Sequence, residues 1–246
     1  MIKSANPALT ADIFRKEAKV ESTESMTIQG TVNKSAILLL IAVATASFTW
    51  NKFFHGFNVN GIMLLGAIAA FVFALITIFK KDIAHITAPA YAGFEGLFLG
   101  GISAYFEMQY PGIVIQAVGL TFCTMFSLLG AYKSGLIKVT ENFKLGVFAA
   151  TGAIGIFYFF SIILGFFGIN LPLIHSNGIF GIGFSVFVVV IAALNLVMDF
   201  DFIESGEAMG APKYMEWYSA FGLMVTLVWL YIEILRLLAK LQSRRD

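Results

Sequence analysis

Two runs near the end of the chain decide how it is read: Leu194-Asn195-Leu196-Val197-Met198-Asp199-Phe200-Asp201 and Leu230-Tyr231-Ile232-Glu233-Ile234-Leu235-Arg236-Leu237-Leu238. Each places an acid in or at the mouth of a long apolar segment. A carboxylate there is expensive, by about 2.5–3.5 kcal/mol on insertion scales. Two acids on consecutive apolar segments invite a common explanation: the expectation is that the helices meet inside a bundle, where Asp199 and Glu233 form a proton-sensitive, cation-binding pair.

The composition sets the solvent. Of 246 residues, 59% are hydrophobic and only 13% charged, and 26 are Phe; an ordinary soluble domain carries about 25% charged residues. The mean hydropathy is +0.84. The chain therefore reads as an all-α, polytopic membrane protein in contact with the lipid bilayer. A net charge of +1 gives no argument for a nucleic-acid partner. The one cysteine, Cys123, excludes a disulfide within the chain and a thiolate metal cluster. Residues 1–34 are polar and lack the apolar core of a signal peptide. They read as a cytoplasmic tail, with a short amphipathic helix expected near Ala11–Val20.

A spanning helix needs ~20 mostly apolar residues. Seven such segments follow: Ser35–Phe54, Gly61–Phe79, Ile83–Phe106, Gly112–Tyr132, Phe143–Ile169, Asn177–Asp199 and Tyr218–Leu238. Residues 35–240 thus form one seven-helix transmembrane domain, and 241–246 a short polar tail. Glycines punctuate the spans: Gly93, Gly96 and Gly100; Gly146, Gly152, Gly155 and Gly165; Gly181 and Gly183. Small residues let membrane helices approach closely, and packing is the expected role for most of these. Helix breakage along a conduction path is the minority reading.

Short-loop basic residues set orientation. With the N-terminus in the cytoplasm, inside segments carry Lys3, Arg15, Lys16, Lys19, Lys34, Lys80, Lys81, Lys133, Lys138, Lys144 and Lys213, whereas the outside segments before the tail carry only Lys52. Arg236, Lys240, Arg244 and Arg245 disagree, since seven crossings would put them outside.

Asn195 lies one turn before Asp199, on the same helical face. Asp201 is roughly 200° further round and points elsewhere. For Asp201, Glu204 and Glu207 a solvated loop entrance is the favoured reading. For Asp199 the spacing leaves site and loop entrance open. Glu233 follows a run, Ala220–Ile232, whose one polar member apart from glycine and the aromatics is Thr226. A surface-seeking local pair with Arg236 is the bland alternative for it. Glu95 sits mid-span with no basic neighbour within a turn, so it is neutral, hydrogen-bonded or facing water. It is a candidate gate or relay. His55, His85 and His175 lack partners at zinc-ligand spacing. Ser103 and Ser161 have no adjacent base, and no phosphate-cradling glycine loop is present. The chain is not read as an enzyme. An intramembrane aspartyl protease, which also needs two close acids, is the rival built on the same residues.

At these residues the chain resembles the Bax inhibitor-1 family, also called the transmembrane Bax inhibitor motif family, in its bacterial branch. The resemblance covers about Ser35 to Leu238. It is carried by the seven-span layout, Met198-Asp199-Phe200-Asp201-Phe202-Ile203 and Leu230-Tyr231-Ile232-Glu233-Ile234-Leu235-Arg236-Leu237-Leu238. Glu95-Gly96-Leu97-Phe98-Leu99-Gly100-Gly101-Ile102-Ser103 and Tyr110-Pro111-Gly112-Ile113 add to it. The resemblance implies a bundle with its last helix central, in a bacterial inner membrane. It implies a pH-sensitive calcium leak, in which acids on the last two helices share protons and close the path, with Ca²⁺ as permeant ion rather than cofactor. Asp199 matches the first acid. Glu233 matches the second, where better-known members carry Asp. Some members also have an acid early in the second span; Gly61–Phe79 contains none, and Glu95 is the available substitute. Asn195 and Arg236 are supporting candidates. Some bacterial relatives instead act as membrane partners of a protease or quality-control complex, which would place function in the N-terminal tail or a loop.

Overall fold

A computed structural model describes residues 24–168 and 178–244. The amphipathic helix expected near 11–20, the 170–177 loop with His175, and residues 245–246 lie outside them. Among the described residues the chain forms seven long α-helices: α1 (Ile28–Phe54), α2 (Asn60–Phe79), α3 (Ala84–Gln109), α4 (Ile113–Lys133), α5 (Glu141–Phe166), α6 (Ile179–Ala208) and α7 (Met215–Gln242), with one 3-10 turn at Lys81–Ile83. Six are long and apolar enough to cross a membrane. The exception is α3, which is long enough at 26 residues but rich in small side chains and interrupted by Pro89.

Several helices extend beyond their apolar runs. α1 starts at Ile28, not Ser35, because Thr27 caps it: the hydroxyl accepts from the backbone N–H of Gly30 at 2.9 Å, as an N-cap should. Its polar first turns gain an i,i+4 bond from Gln29 to Asn33 at 2.9 Å. α6 does not end at Asp199 but continues to Ala208, where Gly210 turns the chain at φ 65° and satisfies the helix end. α7 likewise runs to Gln242.

The chain divides into two compact units. The first comprises residues 24–111 and 202–225. In it α3 packs against both α1 and α2. Gly96 and Gly100 lie so close to Ala42, Thr45 and Ala46 of α1 that a methyl group would collide with α1 backbone. Gly101 leaves room for the side chain of Met63 of α2, and Gly66 of α2 lies against the Phe94 carbonyl. Without a hydrophobic drive between helices in lipid, such close backbone approach is a principal source of adhesion. The low apolarity of α3 is thus the consequence of its packing. Thr77 and Thr87 join α2 to α3 by a buried 2.7 Å hydrogen bond, and Tyr91 packs edge-on against Phe221.

The second unit comprises, among the described residues, 112–168, 178–201 and 226–244. There α5 and α6 share two apolar clusters. Val147 and Met198 pack with Val139, Phe143 and Leu194; Ile154, Val188 and Ile191 pack with Phe184, Tyr158 and Trp229 of α7, among others. Unlike those of α3, Gly146, Gly152, Gly155, Gly165 and Gly183 have nothing within 4 Å of the point where a Cβ would stand, so close helix approach does not account for them.

α7 is the most enclosed helix. Of its most apolar stretch 61% is buried inside the protein, against 11–44% for the other five spans.

Candidate functional site

Glu233 sits in the buried run of α7 and is 2% exposed. Donors reach it from two directions. The Tyr158 hydroxyl of α5 lies 3.1 Å from each carboxylate oxygen. From its own helix, Arg236 donates through Nη1 to Oε1 at 3.0 Å. The Arg236 guanidinium also lies over the Tyr158 ring, 5.6 Å from its centroid. The local Glu–Arg pair therefore forms, but with the carboxylate held inside and only the arginine, 43% exposed, reaching out.

Lys240 lies seven residues beyond Glu233, on the same face and about 10 Å along the helix. It reads as tail in the sequence, yet it is 9% exposed. Its ammonium donates to the Gly181 carbonyl at 3.1 Å and to the Ser185 hydroxyl at 2.9 Å, both on α6. It also interacts electrostatically with Glu233.

Asp199 is 0% exposed. The extension of α6 to Ala208 places it nine residues inside the helix, so it is not a loop entrance. Asn195, 3% exposed, directs its amide N–H groups to the Thr151 hydroxyl and the Ile191 carbonyl, each at 2.8 Å. It thereby ties α6 to α5 one turn before Asp199. Asp201 pairs with the buried Lys144 of α5 at 3.1 Å. This replaces the solvated reading of Asp201 with an α5–α6 tether.

Glu95 lies half-buried on α3 in the first unit, one turn after the buried Tyr91. That unit holds a further acid that the sequence reading did not single out. Glu216, in the first turn of α7, is 0% exposed. It accepts from the Thr27 backbone N–H at 2.9 Å and the Thr27 hydroxyl at 3.0 Å. It is ion-paired with Lys34 and, at 3.3 Å, with Lys213. Gly30 leaves the space its carboxylate fills. Glu207, also expected to be merely solvated, caps α1 by accepting from the Ile28 N–H at 2.8 Å.

A family model described as Bax inhibitor 1 like matches residues 6–243. A comparison with curated proteins returns no match. The match takes in all seven helices and both buried acids of α6 and α7, and the chain belongs to the Bax inhibitor 1 like family.

Proposed function

We propose that the chain is a pH-sensitive calcium leak in which Asp199 and Glu233 form the proton-sensing and ion-gating pair. The observation that carries this reading is burial. The acids of the last two spans are both withdrawn from the surface, at 0% and 2% exposure, within apolar helices where an isolated charge is costly. Two neighbouring carboxylates share one proton more readily than they bear two charges. The shared proton joins α6 to α7; its loss adds repulsion, parts the helices and leaves oxygen ligands suited to Ca²⁺. Two carboxylates with carbonyls or water make a weak transit site, as conduction requires. In this account the chain transports and performs no enzymatic chemistry, and Glu95 acts as a secondary relay.

We further place the protein in a bacterial inner membrane, as the family resemblance implies, and its N-terminus in the cytoplasm, on the distribution of short-loop lysines. Two of the tail charges that oppose this orientation are engaged within the fold: Arg236 with Glu233 and Lys240 with α6.

The test is calcium flux into liposomes holding the purified protein. Flux is expected to rise with pH for the wild-type chain and to lose that dependence in Asp199→Asn with Glu233→Gln. An unchanged pH response removes the pair from the mechanism.

A second reading, a membrane partner that restrains a protease or quality-control complex without transport, is favoured by the Glu216 network, which binds residues 24–34 to the start of α7. It predicts no flux above empty liposomes and partner capture that is lost on deleting residues 1–30.

A further inference from the structure

The two basic side chains that follow Glu233 on α7, Arg236 and Lys240, are held differently. Lys240 is buried and fixed by acceptors from α6. Arg236 is 43% exposed. One face of its guanidinium lies over Tyr158, and one nitrogen occupies Glu233 Oε1. A metal cation approaching Glu233 through that oxygen meets a positive group already there.

We propose that Arg236 is a tethered competitor for the cation that binds Glu233. It occupies the carboxylate when no ion is present and swings outward when a divalent ion replaces it. The inference rests on the reading of Glu233 as a cation ligand and adds what regulates that site.

Three features support it. First, a guanidinium one turn away along the same helix is present at high effective concentration, so it lowers the apparent affinity of any free cation without closing the site. Second, the exchange keeps charge balanced: one carboxylate is never left bare in an apolar setting, where an uncompensated charge costs most. Third, the released guanidinium has somewhere to go, since it is already partly outside and retains the Tyr158 ring as a partner. Tyr158 holds both Glu233 oxygens from α5, so the carboxylate stays in place during the exchange. Lys240 cannot make the same move without abandoning two acceptors in a buried position.

The experiment uses the full chain in nanodiscs with terbium ion as the calcium surrogate. Trp229, one turn before Glu233 on α7, serves as the sensitising indole. The wild-type chain is expected to bind weakly. Arg236→Gln is expected to bind about tenfold more tightly, and Arg236→Lys to stay near wild type because a tethered cation remains. Glu233→Gln is expected to remove the signal. Arg236→Gln binding as weakly as wild type, with the signal still dependent on Glu233, overturns the competitor and leaves the cation site standing. A signal indifferent to Glu233→Gln in every background overturns the site and the competitor together. If Arg236→Gln does not fold, the Nε–H resonance of Arg236 in the wild-type chain gives the same answer: it shifts on calcium addition if the guanidinium is displaced, and a fixed resonance under saturating calcium overturns the proposal.

Discussion

Tyr158 on α5 places its hydroxyl 3.1 Å from both carboxylate oxygens of Glu233 on α7. This cross-helix bond fixes where the acid of the last span points. Replacing Tyr158 by Phe keeps the ring against Phe184 and Arg236 but removes the donor. Hydrogen bonds to charged groups contribute about 1.5–3 kcal/mol, whereas interhelical bonds in lipid contribute about 0.6–2 kcal/mol. Tyr158→Phe is therefore expected to lower stability by about 1–2 kcal/mol in denaturant-titrated unfolding from mixed micelles. A loss below about 0.3 kcal/mol would show that the hydroxyl does not hold the acid.

Glu216 is a third buried carboxylate, beside Asp199 and Glu233, with a different task. It gathers the Thr27 donors and the Lys34 and Lys213 ammonium groups at the start of α7. Removing one partner of a buried pair leaves the other uncompensated. Glu216→Gln and Lys34→Met are each expected to cost about 1–3 kcal/mol. The double variant is expected to cost clearly less than their sum, because Lys34→Met then removes the stranded charge. Strict additivity would show that the two side chains act independently.

The glycines divide by what surrounds them. Gly96 and Gly100 have α1 backbone where a side chain would stand, whereas Gly155 has open space. Gly96→Leu is expected to destabilise the fold by about 1–3 kcal/mol or to prevent folding. Gly155→Leu is expected to change stability by less than about 0.5 kcal/mol. Thermal aggregation profiles of the two variants in the same detergent distinguish these outcomes, and equal tolerance would contradict the packing assigned to α3.

The helices were legible in the sequence because apolar runs of membrane length leave little choice of structure. Their ends were less so. Asp199 reads as a span terminus because Asp201, Glu204 and Glu207 follow it, yet α6 continues through all three to the turn at Gly210. Those acids do not end the helix because they are held within the fold, Asp201 by Lys144 and Glu207 by the α1 N-terminus among them. The position of Glu233 after an apolar run is visible in the sequence, and so is its spacing to Arg236, but not that it faces inward. Its bond to Tyr158 is not visible either, since the tyrosine lies 75 positions away in a run of aromatic residues. Lys240 and Glu216 were missed for the same reason. Each sits at the edge of an apolar run, where a charge looks solvated, and each is buried by acceptors or donors 55 to 189 positions distant.

Gating by the carboxylate pair requires Asp199 and Glu233 to titrate as one unit, and a double-mutant cycle on the pH response of calcium flux tests this directly. Wild type, Asp199→Asn, Glu233→Gln and the double variant are compared in liposomes across pH. A shared proton predicts that either single substitution removes the pH response as completely as both together. Two partial effects that simply add in the double variant would show two independent acids and contradict the pair.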